Sequence, residues 1–300
     1  MLRTMKKLIK SVIPAPVLQK YNAIILDHRY RKWAKSRNMK WDIEAVEIET
    51  VNRCNGHCAF CPVNVDQPQR KYAKMSDKLF RKIIDELAEM DYQGGISLFS
   101  NNEPFLDERI IEFHKYTNEK LPRAIFALDT NGTVLTLEKF IEILPFLDRF
   151  VIDNYNDDGQ INTPELQKIY DYIQAHKEIQ NRVDFLFRRE NEILFSRGGQ
   201  APNKTDSQDK SIMNVLCTHP FRQLIIRPTG EISLCCNDAL GKYTMGDLNV
   251  QTIREVWESG KYKSFRAEML KNGRKNLLLC NQCDSIFEPE FWAKRKRPLP

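Results

Sequence analysis

The stretch Cys54-Asn55-Gly56-His57-Cys58-Ala59-Phe60-Cys61 places three cysteines at C-x3-C-x2-C. Thiolates are ligands for soft metal centres, zinc and iron–sulfur clusters above all. Three of them this close cannot share one face of a regular helix or strand, so they require a loop wrapped around something. A cubane iron–sulfur cluster has four irons, and three cysteines leave one iron without a protein ligand. A structural zinc site is the alternative. It lacks its usual fourth ligand unless His57 supplies one, and His57 and Cys58 are adjacent, an awkward geometry around one small ion.

Five more cysteines follow residue 200. Cys217 is followed after twelve residues by Gly230, Cys235 comes after four more with Cys236 beside it, and Cys280-Asn281-Gln282-Cys283 closes the group. Phe221–Arg227, the turn Pro228-Thr229-Gly230 and Glu231–Cys235 read as a β-hairpin. A zinc ribbon would more usually show two CxxC knuckles, and only one is present. The helix expected over Thr252–Ser259 carries Trp257.

The elements that position the first loop alternate. Strand 45–51 leads into the cysteines. Ser76 reads as the N-cap of a helix over 77–90, with Phe80, Ile83, Ile84 and Leu87 on one face. Strand 96–99, helix 107–120, strand 124–128, helix 136–144, strand 149–152, helix 164–176 and strand 182–187 follow. Strand–helix alternation predicts a parallel sheet with right-handed crossovers, whose chemistry lies at the C-terminal strand ends. The cysteine loop stands at such an end, as do Ser100-Asn101-Asn102-Glu103-Pro104, Asp129-Thr130-Asn131-Gly132 and Asp153-Asn154. Each of these, taken alone, also reads as a plain turn.

The cysteine spacing with Phe60 before its last member resembles the signature of the radical S-adenosylmethionine (SAM) enzymes. Glu103-Pro104 matches the end of that family's Gly-Gly-Glu-Pro segment, with asparagines at both glycine positions, and Thr130-Asn131-Gly132 is similar to its Thr-Asn-Gly. The later cysteines resemble the SPASM/twitch extension in its shorter form. The resemblance implies a SAM-binding [4Fe-4S] cluster on Cys54, Cys58 and Cys61, and a second [4Fe-4S] cluster on Cys217, Cys235, Cys280 and Cys283. It implies SAM contacts from Phe60, Asn102, Glu103, Thr130, Asn131 and Asp153. It also implies hydrogen-atom abstraction by a 5′-deoxyadenosyl radical, leading to two-electron oxidation of a sugar- or cyclitol-like alcohol. Peptide maturation and epimerisation are alternatives within the class, and a zinc-binding adaptor is one outside it. Cys236 and Arg197 are the candidate catalytic residues. Arg188, Arg189 and Arg197 are candidates for a substrate carboxylate or phosphate.

The expected fold class is α/β, a partial (β/α)6-type parallel barrel over 41–200 with a small β-hairpin-plus-helix auxiliary-cluster domain over 201–290. Residues 1–40 form a basic helical extension and 291–300 a basic tail. The first forty residues hold eleven Lys/Arg against one acid, Asp27, and the tail adds four more basic residues. With +10 and +4 at the ends, the total of +6 leaves −8 for the body. A nucleic-acid enzyme gathers basic charge at its site instead, so no nucleic-acid partner is expected. The substrate is expected to be a sugar-like small molecule or a peptide, and the electron donor a flavodoxin or ferredoxin. A first helical pattern over 2–13 is stopped by Pro14 and Pro16, and a second uses Val17, Leu18, Tyr21, Ile24 and Ile25. These helices either pack on the main domain or touch an anionic membrane surface. Eight cysteines without an export signal predict a cytoplasmic setting, peripheral at the inner face of the membrane where residues 1–40 touch it.

Overall fold

The computed structural model describes residues 15–37, 43–65, 70–204 and 210–286. Eight strands, β1 (Ala45–Ile48), β2 (Gly95–Ser97), β3 (Ile125–Thr130), β4 (Arg149–Tyr155), β5 (Val183–Arg188), β6 (Gln223–Ile226), β7 (Glu231–Ser233) and β8 (Thr244–Asp247), form one sheet. Their order is β5-β4-β3-β2-β1-β6-β7-β8. The pairs from β5 through β1 to β6 are parallel, and β6–β7 and β7–β8 are antiparallel.

Eight α-helices accompany them among the described residues. These are α1 (Ala15–Arg37), the short α2 (Pro62–Val65), α3 (Asp77–Glu89), α4 (Ile110–Lys120), α5 (Leu137–Ile143), α6 (Pro164–Ala175), α7 (Ile253–Trp257) and α8 (Gly260–Asn272). The start of α3 follows from its cap, where Ser76 Oγ accepts from Leu79 N at 3.2 Å. Its apolar positions recur at helical spacing, so Leu79, Phe80, Ile83, Ile84 and Leu87 are all buried against the sheet. Phe80 stacks on Phe113 of α4 with ring centroids 3.9 Å apart. Thr136 and Thr163 cap α5 and α6 in the same way, and Pro164 occupies the first turn where its missing N–H costs nothing.

The sixth strand of the barrel is β6, which pairs with β1 from Ala45↔Gln223 to Ile48↔Ile226. It is buried along its whole length, as a strand covered on both faces must be. The hairpin thus continues the barrel sheet, and the segments expected as 41–200 and 201–290 share that sheet. A helix that the sequence reading did not separate, α8, buries Tyr262, Phe265 and Met269. Along α1 the buried face is not the expected Val17, Tyr21, Ile24 and Ile25, which are exposed. Tyr30 and Ala34 are buried instead, with Ala23, Leu26 and Trp33 packed beside them. Asp27 fixes that orientation by accepting from Leu216 N at 2.9 Å. The expected helix over 2–13 and the tail 291–300 lie outside the described residues. Among the described residues no helix is long and apolar enough to cross a membrane.

Candidate active site

The cysteine loop leaves the end of β1 and is held from several sides. Val51 forms a bridge with Lys74, Ala59 N donates to Glu190 O at 2.8 Å, and Cys61 N donates to Cys58 O at 3.0 Å. Two donors face the first sulfur, since Gly56 N lies 3.3 Å and Asn131 Nδ2 3.7 Å from Cys54 Sγ. Phe60 is buried, with its ring 5.8 Å from that of Tyr155. Burial pushes the Cys54 and Cys58 thiols up to about 12. At neutral pH they stay protonated unless positive charge, such as that of bound irons, is placed among them.

The neighbouring strand ends close around this loop. Glu103 is buried, and its carboxylate accepts from Thr130 Oγ1 at 2.7 Å, Asn131 N at 2.8 Å and Phe105 N at 3.1 Å. Burial nevertheless raises its pKa to about 7, against the lowering effect of those bonds. Asp129 is likewise raised to about 7, by burial and then by the negative charge of Asp153. Asp153 is raised by burial and lowered in part by Arg188, which stands 3.5 Å away.

A cavity joins these groups. Cys54, Cys58, Cys61, Phe60, Asn102, Glu103, Asp129, Thr130, Asn131, Asp153, Tyr155 and Arg197 are among its lining residues. Two polar atoms of lining residues, Asn102 Nδ2 and Arg197 Nε, are buried without a hydrogen-bond partner, and Asp153 Oδ1 has only the long ion pair with Arg188 at 3.5 Å. Unsatisfied buried groups are costly, and they accumulate where a ligand completes the set.

Arg197 connects the cavity to the hairpin. Its Nη2 donates to Cys236 O at 3.0 Å and also contacts Asn101 Oδ1, while Asn101 Nδ2 donates to the same carbonyl at 3.0 Å. The backbone around Arg197 is held in place: Arg197 has φ 50° and Gly198 φ 65°. A side chain at Gly198 would meet Leu279 Cδ1 at 2.6 Å and Leu279 O at 2.8 Å. Ser196 binds the far loop through Gln282 O at 2.5 Å and Asp284 Oδ1 at 2.7 Å.

In the later set, Cys235, Cys280 and Cys283 are buried and Cys217 is half-buried. Burial raises the Cys235 thiol far above its ordinary value, and Cys236, Cys217, Cys280 and Cys283 raise it further. The four expected ligands are therefore near neighbours. Among the described residues no three His, Cys, Asp or Glu side chains are gathered tightly enough to hold a single metal ion. Thiolates on one tetrahedral zinc would stand about 3.8 Å apart, so neither cysteine set is drawn around an ion-sized point.

Family models match two stretches of the chain: the radical SAM superfamily over residues 48–191, and an iron–sulfur cluster-binding SPASM domain over 217–284. The chain belongs to the radical SAM superfamily. A curated relative, an S-adenosyl-L-methionine-dependent 2-deoxy-scyllo-inosamine dehydrogenase from Niallia circulans, is 29% identical over 245 residues, 80% of this chain and 92% of that protein. The crystal structure of BtrN in complex with AdoMet and 2-DOIA shares the fold at TM-score 0.71 and 24% identity, covering 83% of this chain and 95% of that one. Native anSMEcpe with bound AdoMet does so at TM-score 0.51 and 14% identity, covering 80% and 88%.

The cofactors of this radical SAM enzyme are SAM and [4Fe-4S] clusters, and the residues present fit them. Three cysteines line the cavity together with polar atoms that have no hydrogen-bond partner. Cys236 contributes its carbonyl to the cavity wall through Arg197, while its own thiol is half-buried. Arg188 pairs with Glu192 at 2.6 Å, and Arg189 is exposed. Sequence reasoning missed Tyr155, the second member of an alternating strand pair after Asp153. It gave Asp129 no role of its own. It missed Glu47, a half-buried residue whose carboxyl is raised to about 7 by desolvation and accepts from Ser100 Oγ at 2.6 Å. It also missed Arg274. The alternation of β1 and β3 could have marked Glu47 and Asp129 as charged residues on otherwise apolar strands.

Proposed function

We propose that this radical SAM enzyme oxidises a secondary alcohol of a sugar- or aminocyclitol-like substrate to a ketone. The observation that carries the reading is the Arg197 bridge, because a molecule in the cavity rests against a side chain bonded to Cys236 O, one residue from Cys235. A substrate there lies beside a second redox centre. The name of the curated relative, a dehydrogenase of an amino-bearing cyclitol, supports the same reaction class.

In this reading Cys54, Cys58 and Cys61 hold the SAM-binding cluster, and Cys217, Cys235, Cys280 and Cys283 hold the auxiliary one. When bound, these groups supply a 5′-deoxyadenosyl radical that takes a hydrogen atom from an unactivated C–H bond, and an acceptor for one electron. Glu103 binds the SAM ammonium. Thr130 and Asn131 fix the Glu103 carboxylate, while Asn102 and Asp153 offer it a donor and an acceptor within the same cavity. Phe60 and Tyr155 form an apolar wall that excludes water. Asp129, with its pKa near neutrality, takes the hydroxyl proton of the substrate.

A second reading, radical epimerisation, is favoured by Cys236, whose carbonyl accepts a hydrogen bond from the cavity-lining Arg197. The test is product analysis with a reduced, iron-loaded enzyme. A ketone formed in step with SAM consumption supports oxidation, and an inverted alcohol supports epimerisation. We assign the electron supply to a flavodoxin- or ferredoxin-type donor. The exposed Val17, Tyr21, Ile24 and Ile25 of α1, beside Lys20, support contact with an anionic membrane surface, which co-sedimentation with anionic vesicles at low and high salt would test.

A further inference from the structure

Arg274 is the largest fully buried side chain among the described residues, 1% exposed. Its three nitrogens each donate to a backbone carbonyl: Nε to Val215 O at 3.0 Å, Nη1 to Cys283 O at 2.8 Å and Nη2 to Ser285 O at 2.8 Å. Val215 stands two residues before Cys217, and Ser285 two after Cys283. The guanidinium thus ties together both chain ends of the auxiliary cysteine set. Gly273 aims it there, with φ 66° at a point where a Cβ would lie 3.1 Å from Asn214 O.

No carboxylate pairs with Arg274 among the described residues. A buried guanidinium served only by neutral carbonyls is costly, and anionic charge nearby must offset it. The bond to Cys283 O and the bonds to Val215 O and Ser285 O, each two residues from a cysteine of the auxiliary set, place the guanidinium beside the expected ligands, where an anionic cluster would supply that charge. A four-thiolate cubane cluster is anionic and gains one more negative charge on taking an electron. A fixed cation beside it therefore favours the reduced form.

We propose that Arg274 is a positioning residue that raises the reduction potential of the auxiliary cluster, making it able to accept the electron that leaves the substrate. The inference rests on the reading of Cys217, Cys235, Cys280 and Cys283 as cluster ligands. The matching proton goes to Asp129, so the oxidation balances without a further co-reactant.

The experiment is an electron-paramagnetic-resonance redox titration of the full-length holoenzyme with SAM present, comparing the native chain with Arg274→Lys and Arg274→Gln. The SAM-binding cluster in the same molecule is the internal control. Arg274→Gln should lower the reduction equilibrium constant of the auxiliary cluster tenfold or more, which is 59 mV for a one-electron couple. Arg274→Lys, which keeps the charge but loses the fork, should stay within about threefold, and both variants should keep about eight irons per chain. An unchanged Arg274→Gln, an equal fall in both variants, or loss of iron from either one overturns the proposal, the last by reducing the residue to a structural tie. If the native chain itself binds only one cluster, it is the auxiliary-cluster reading that fails, and the iron count shows this before any potential is measured.

Discussion

Glu103 should make SAM binding depend on pH with a definite sign. In the SAM-free protein its pKa is about 7, raised from 4.5 mainly by burial. SAM brings an ammonium that requires the carboxylate, so binding below neutrality must first release a proton. At pH 6 about one Glu103 in eleven is ionised, and at pH 8 about ten in eleven. The affinity should therefore rise about tenfold between those values, ~1.4 kcal/mol, and level off above them. If SAM returns the group to its ordinary pKa, the rise extends down to about pH 4.5 and totals ~3.4 kcal/mol. The assay is calorimetric titration of the iron-loaded protein in buffers of different ionisation enthalpy, which counts the released proton directly. Glu103→Gln keeps one oxygen for Thr130 and Phe105 but turns an amide toward the Asn131 N–H. It should remove the slope and weaken SAM by about 2–3 kcal/mol at pH 8. A flat profile in the native protein, or an unchanged slope in Glu103→Gln, refutes the reasoning.

Asp129→Asn should leave SAM affinity within about threefold and cut ketone formation by about 10²–10⁴, while the limb near pH 7 disappears from the kcat/KM profile for the alcohol measured at saturating SAM, where Glu103 is already ionised; a retained limb under those conditions would remove Asp129 as the proton acceptor. Cys236→Ala should leave the product and its yield unchanged, as measured by chiral chromatography. Loss of product with SAM cleavage intact would instead favour the epimerase reading.

The first cysteine loop and the parallel strands around it were legible because their signals are local. Cysteine spacing, a cap such as Ser76, and apolar runs at helical or strand period each need only a short window of sequence. The placement of β6 beside β1 was not, since pairing between residues 45–48 and 223–226 depends on how the intervening sheet closes. The unbroken apolar run Leu224-Ile225-Ile226 was the available hint. The face that α1 buries was misread for a related reason. Val17, Tyr21, Ile24 and Ile25 form as good a stripe as Ala23, Leu26, Tyr30 and Ala34, and the choice between them is made by tertiary contacts, such as Asp27 with Leu216. Arg274 was invisible because nothing in its neighbourhood of sequence shows that the carbonyls of Val215, Cys283 and Ser285 converge on it.

The most direct test of the proposed oxidation uses an aminocyclitol carrying deuterium on the carbon to be oxidised. The reduced, iron-loaded enzyme is incubated with it and SAM, and 5′-deoxyadenosine is analysed by mass spectrometry alongside the cyclitol product. The expected result is one deuterium in 5′-deoxyadenosine and one ketone for each SAM cleaved. Unlabelled 5′-deoxyadenosine with the alcohol recovered intact would contradict it.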